Sequence, residues 1–110
     1  MFGGGVPETG VTEVPEGGYL LDVREDDEWR AGHAPDAVHI PLGELGGRAD
    51  EVPKDRKVYV VCRVGGRSAQ AVMALNQAGW DSVNVAGGMA AWERAGREMA
   101  AEADAEPRVV

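Results

Sequence analysis

At its centre the chain reads Val58-Tyr59-Val60-Val61-Cys62-Arg63-Val64-Gly65-Gly66-Arg67-Ser68. The four residues before the cysteine predict a buried strand, and a helical pattern begins near Ser68. Between them, Gly65 and Gly66 allow the backbone to turn, because glycine adopts angles that other residues avoid. This stretch therefore predicts a strand, a tight loop and a helix, with the only cysteine of the chain, Cys62, where the strand ends.

The same loop has the features of an anion-binding cradle. The first N–H groups of a helix have no partner within the helix, and the helix dipole adds partial positive charge there. Arg63 and Arg67 add two permanent charges. A thiol in such a place should ionise readily, and the thiolate is the nucleophilic form. We therefore predict that Cys62 is a nucleophile whose pKa lies below the value of about 8.5 for an ordinary thiol.

Outward from the loop, strand patterns alternate with helical ones, which predicts an α/β domain with a mostly parallel sheet. Strands are predicted at 19–23, 37–40, 57–61 and 82–85, and helices at 24–30, 42–50, 68–78 and 89–95. Residues 1–18 are rich in glycine and proline, with a possible edge strand at 11–14, and 19–96 form the core. The segment 97–110 is acidic, and we expect it to be disordered.

Composition narrows the classes of function. The 110 residues include 11 basic and 19 acidic side chains, a net charge of −8, which disfavours nucleic acid as a partner. We find no apolar run that could cross a membrane and no secretory signal. A single cysteine cannot form an internal disulfide and fits a reducing compartment, so we expect a cytoplasmic protein. The spacing of His33, His39 and Cys62 fits no familiar metal site, and we expect neither metal nor cofactor.

Four spaced motifs lie in order between Tyr19 and Gly96. They read Leu21-Asp22-Val23-Arg24 with Glu28-Trp29, then Gly32-His33-Ala34-Pro35-Asp36-Ala37 with Ile40-Pro41-Leu42, then Val60 to Ser68, then Gly79-Trp80 with Val85-Ala86-Gly87-Gly88-Met89-Ala90-Ala91-Trp92. Together they resemble the single-domain rhodaneses. The resemblance implies a three-layer fold, with a mostly parallel five-stranded sheet flanked by helices.

The resemblance also implies sulfurtransferase activity. Cys62 would take a sulfane sulfur from a small anionic donor, thiosulfate or a persulfide, and pass it to a thiol or to cyanide. The residues expected to bind the donor are Arg63, Val64, Gly65, Gly66 and Arg67. Asp22, Arg24 and Ser68 would support the site, Asp22 and Arg24 mainly by tying loops together. Because Cys62 is the only cysteine, the acceptor must be an external thiol or an acceptor protein.

Two other functions remain open at this stage. A persulfide carrier would load one sulfur and release it slowly until its biosynthetic partner arrives. A cysteine phosphatase or arsenate reductase would also hold an oxyanion over a thiolate. Four residues separate Cys62 from Arg67, one fewer than in the tyrosine phosphatase pattern, and this tighter loop favours a sulfur atom over a tetrahedral phosphate.

Overall fold

The computed structural model describes residues 5–102 and 105–110, and its centre is a five-stranded parallel sheet. The strands are β1 (Glu8–Thr9), β2 (Tyr19–Asp22), β3 (Val38–His39), β4 (Val58–Val61) and β5 (Ser82–Val85). Their order across the sheet is β1-β5-β4-β2-β3, so β4 is central. This arrangement confirms the predicted fold class.

Helices cover both faces of the sheet. They are α1 (Asp26–Ala31), α2 (Leu42–Arg48), α3 (Gly66–Gln77) and α4 (Gly88–Arg94), and the turns Val11–Glu13 and Ala49–Glu51 are 3-10 helical. Successive residues of a strand point to opposite faces. Val60 accordingly packs with Leu45 of α2 and Val72 of α3, whereas Val61 packs with Trp92 of α4. One cluster joins the sheet to α2 and α3 and the other joins it to α4, so the domain has three layers. Within the described residues, no helix is long and apolar enough to cross a membrane.

The N-terminal segment differs from the prediction in one respect. The edge strand lies at Glu8–Thr9, and the predicted strand at 11–14 is wrong, because Val11–Glu13 forms a 3-10 turn. The turn places Val11 and Val14 together in the cluster under α4, and the Gly10 N–H donates to the Glu13 carboxylate at 2.8 Å. Residues 1–4 of the predicted segment lie outside the described residues.

The C-terminal segment packs against the domain where the structure describes it, although the sequence predicted disorder. Ala100 exchanges two backbone hydrogen bonds with His33, of 2.9 and 2.8 Å. The Arg108 N–H donates to the Ala31 carbonyl at 2.9 Å, next to Gly32. A Cβ atom at Gly32 would lie 2.6 Å from the Arg108 backbone nitrogen, so only glycine admits this approach. Residues 103–104 of the predicted tail are outside the described part.

Candidate active site

The loop 62–65 joins the central strand to the longest helix, as the sequence predicts. Cys62 follows the last residue of β4, and α3 begins at Gly66. Gly65 precedes the helix with φ of 123°, a backbone conformation that favours glycine. The loop therefore lies beyond the carboxyl ends of the strands, where parallel sheets bind ligands.

The sulfur of Cys62 is surrounded by hydrogen-bond donors. The Gly65 N–H lies 3.1 Å from Sγ and the Ser68 hydroxyl oxygen 3.3 Å, and the residue is 1% exposed. Burial by itself raises the pKa of Cys62. Hydrogen bonds from the Ser68 hydroxyl and from the N–H groups of Ser68, Gly65 and Val64 outweigh it, and the net pKa is below the ordinary value. The arrangement stabilises negative charge on sulfur.

The N-terminus of α4 holds the other side of the loop backbone. The N–H groups of Met89 and Ala90 donate to the carbonyls of Cys62 and Arg63, at 2.8 and 3.0 Å. Gly88 makes this approach possible, because a Cβ atom there would lie 2.5 Å from the Cys62 carbonyl oxygen and 2.6 Å from that of Arg63. The loop carbonyls thus bond to α4, while the N–H groups of Val64 and Gly65 bond to the sulfur.

The two arginines that follow Cys62, Arg63 in the loop and Arg67 in the first turn of α3, have different partners. Arg67 makes a bidentate ion pair with Glu28 of α1, with distances of 2.7 and 2.9 Å. Hydrogen bonds from Arg67 hold the pKa of Glu28 at about 2. Arg63 donates from Nε to the Val110 backbone oxygen at 3.1 Å. The charge of Arg67 is therefore compensated by a carboxylate, which the sequence did not predict.

Asp22 and Arg24 form a fully buried ion pair at the end of β2. The Arg24 Nη2 lies 2.7 Å from the Asp22 carboxylate and also donates to the Gly32 carbonyl at 2.8 Å. The backbone of Arg24 adds a further bond to the carboxylate, at 3.0 Å. This pair ties the turn after β2 to the end of α1, and no contact of either side chain with the Cys62 sulfur is found among the described residues.

Three aromatic rings stack beside α1, those of Trp29, His33 and His39. Trp29 stacks with both His33 and His39, with ring centroids 3.6 and 4.7 Å from its own and planes within 4°. Each histidine also bonds a backbone carbonyl, which fixes its ring.

Val64, at the tip of the loop, is 57% exposed. In the described part of the chain, no group of three His, Cys, Asp or Glu side chains could hold a metal ion.

Two residues of this neighbourhood were missed in the sequence. In the sequence Glu28 appears only as part of a motif, because its partner Arg67 is 39 residues away. Asn84 lies on β5, 2% exposed, with its amide oxygen 2.5 Å from the Ser68 hydroxyl. The sequence signal for Asn84 was a polar residue within a predicted strand. A buried amide needs hydrogen-bond partners, so such a residue indicates a polar neighbour inside the fold.

Comparisons with known proteins agree with this geometry. The family model for the rhodanese-like domain matches residues 10–95. The chain is 43% identical over 81 residues to the "Putative sulfurtransferase YtwF" of Bacillus subtilis, covering 74% of this chain and 79% of that protein. It is 42% identical over 74 residues to the "Putative sulfur carrier protein YrkF" of the same species, covering 66% of this chain but only 40% of that protein.

Solved structures give the same result. A rhodanese-related protein from Thermoplasma volcanium superposes with a TM-score of 0.83 at 32% identity, over 87% of this chain and 99% of that one. The family model covers well over half of the sequence and includes the cysteine loop, the strands on both sides of it and α4. The chain therefore belongs to the family of rhodanese-like domains.

Proposed function

We propose that this protein is a sulfurtransferase that carries sulfur as a persulfide on Cys62. The observation that carries the proposal is the position of the sulfur, 3.1 Å from the Gly65 N–H and 3.3 Å from the Ser68 hydroxyl at the start of α3. Donors arranged in this way favour a charged sulfur without a neighbouring base. Family membership and the names of the relatives support sulfur transfer in general.

In the first half-reaction, the Cys62 thiolate attacks the outer sulfur of an anionic donor such as thiosulfate. A bond forms between the two sulfur atoms, the sulfur–sulfur bond of thiosulfate breaks, and its electron pair leaves with sulfite. In the second half-reaction, cyanide or a thiolate attacks the outer sulfur of the persulfide. The bond to Cys62 breaks, and the electron pair returns the residue to its thiolate form.

The loop supplies the binding groups for both steps in this proposal. The N–H groups of Val64, Gly65 and Gly66 hold the outer, charged sulfur of the persulfide. Arg63 attracts the anionic donor, and Arg67 contributes less charge than the sequence alone suggests, because it is shared with Glu28. Ser68 contacts the sulfur directly, whereas Asp22 and Arg24 act indirectly, by fixing the turn after β2 to the end of α1.

The decisive experiment is the mass of the intact protein after brief incubation with thiosulfate. Wild type should gain one sulfur atom, which cyanide removes as thiocyanate, and the Cys62→Ala variant should gain none. Glutathione persulfide and mercaptopyruvate serve as alternative donors. Failure of all three donors to load Cys62, or equal loading of the Cys62→Ala variant, would refute the proposal.

A second candidate is a persulfide carrier, which the similarity to the "Putative sulfur carrier protein YrkF" favours. Both candidates load one sulfur on Cys62, but they differ in the rate of release. A sulfurtransferase turns over many times with cyanide or a small thiol. A carrier retains its sulfur under the same conditions and releases it when an acceptor protein is added. Turnover per chain in excess thiosulfate and cyanide separates the two.

A further inference from the structure

Asn84 of β5 lies under the active-site loop with its side-chain amide held in one orientation. Its Nδ2 donates to the Glu8 carboxylate at 3.0 Å and to the Gly65 carbonyl at 3.2 Å. An ionised carboxylate and a carbonyl only accept hydrogen bonds, so the nitrogen must face them. The amide oxygen is therefore the atom that faces Ser68, 2.5 Å from its hydroxyl oxygen.

Ser68 has one hydroxyl proton and more than one place to donate it. Its Oγ lies 2.5 Å from the Asn84 oxygen, 3.3 Å from the Cys62 sulfur and 3.3 Å from the Gly65 carbonyl. An amide oxygen carries no proton, so the contact with Asn84 is a hydrogen bond only while Ser68 donates to it, and the hydroxyl then does not donate to the sulfur as it does to a thiolate. In that state Ser68 presents a lone pair to the sulfur, which suits a neutral thiol that donates and opposes a sulfur anion.

From this geometry we infer that Asn84 is a positioning residue that competes with the Cys62 sulfur for the single hydroxyl proton of Ser68. While the thiol is neutral, Ser68 donates to Asn84 and accepts from the S–H group. When the thiol loses its proton to water, the Ser68 O–H rotates to the sulfur and the Asn84 oxygen gives up its donor. No covalent bond of Ser68 breaks; its hydrogen bond to Asn84 is exchanged for one to the sulfur. The inference concerns the site of the proposed function and rests on that function for its role in sulfur transfer.

Three charged side chains interact with the residues of this site, and the test leaves them in place. Arg67 of α3 interacts electrostatically with Cys62, and Glu28 of α1 forms an ion pair with Arg67. Glu8 of β1 bonds Asn84. The variants below leave these three charges in the chain, so they act in every arm of the comparison.

The test is a double-mutant cycle on Ser68 and Asn84, measured by the pH dependence of alkylation of Cys62 with iodoacetamide. Ser68→Ala removes a donor to the thiolate and should slow alkylation at pH 6. Asn84→Leu releases the Ser68 proton and should accelerate it about three- to tenfold, the range of one hydrogen bond. Combined with Ser68→Ala, the Asn84→Leu change should produce no acceleration.

The opposite pattern overturns the inference. If Asn84→Leu slows alkylation, leaves it unchanged, or accelerates it equally with and without the Ser68 hydroxyl, Asn84 only supports the loop. Urea unfolding of each variant verifies that it is folded, and Asn84→Ala replaces Asn84→Leu if leucine prevents folding, with the same expected sign. Alkylation requires no sulfur donor, so failure of persulfide formation and failure of this inference are separate results.

Discussion

Replacing Glu28 by glutamine tests the ion pair that occupies Arg67. The substitution removes the charge but keeps an amide oxygen that can accept the Glu25 N–H, which the carboxylate now binds at 3.0 Å. The pKa of Glu28 is about 2, against an ordinary value of 4.5. At about 1.4 kcal/mol per unit, this difference corresponds to roughly 3 kcal/mol of stability at pH 7.

That figure is an upper bound, because water screens the pair. The Arg67 side chain is 34% exposed and that of Glu28 14%. We therefore expect Glu28→Gln to lower the free energy of unfolding at pH 7 by about 1 to 2 kcal/mol. Because folding depresses the pKa of Glu28, the contribution is complete above its unfolded value of 4.5 and is lost as the pH falls towards 2. At pH 3, less than about half should remain.

The assay is urea unfolding of wild type and variant at pH 7, 4 and 3, followed by tryptophan fluorescence. Glu44→Gln is a matched control, because Glu44 pairs with Arg48 on an exposed surface and its loss should change stability little. Equal stabilities of wild type and Glu28→Gln at pH 7 would refute the reasoning. So would a difference that stays constant between pH 7 and pH 3.

Three further predictions concern the loop itself. The pH dependence of Cys62 alkylation should have a midpoint below about pH 8.5, since hydrogen bonds to the sulfur lower its pKa. A midpoint at or above that value would contradict stabilisation of the thiolate by the loop. Gly88→Ala should destabilise the protein by about 2 kcal/mol or more in urea unfolding, because its Cβ would overlap the loop carbonyls. The control Gly96→Ala has a φ of 72° and open space around it, so it should lower the free energy of unfolding by only about 1 kcal/mol. Equal losses in the two variants would contradict the steric argument. Arg63→Ala should lower kcat/KM for thiosulfate about tenfold with unchanged stability, and unchanged kinetics would remove Arg63 from donor binding.

The loop and its flanking elements could be predicted because their signals are local. The apolar run before Cys62 and the glycines after it specify a strand and a turn within one short stretch. β4 begins and ends within one residue of the predicted bounds, and α3 begins two residues earlier than predicted. The Gly65 carbonyl accepts the first backbone bond of the helix, from the Ala69 N–H at 3.1 Å, and this bond starts the helix at Gly66.

The parts that differ depend on partners far away in the sequence. β1 has two residues, and its position is fixed by pairing of Glu8 with Asn84 rather than by its own composition. Arg67 reads as a free charge in the loop until α1 brings Glu28 beside it. A local pattern contains neither partner, so it could predict that Arg67 is cationic but not that the cation is already compensated.

The pairing of the first strand with the last has a consequence for how the protein is made. Glu8 and Asn84 are 76 positions apart, and the bonds that fix the Cys62 loop come from Met89 and Ala90. Contacts of such long sequence separation form late and slow the folding of a domain. We therefore expect Cys62 to react as an ordinary thiol during synthesis until α4 has left the ribosome and docked. A change in the rate at which Cys62 reacts with a thiol probe would then report when the native topology is complete.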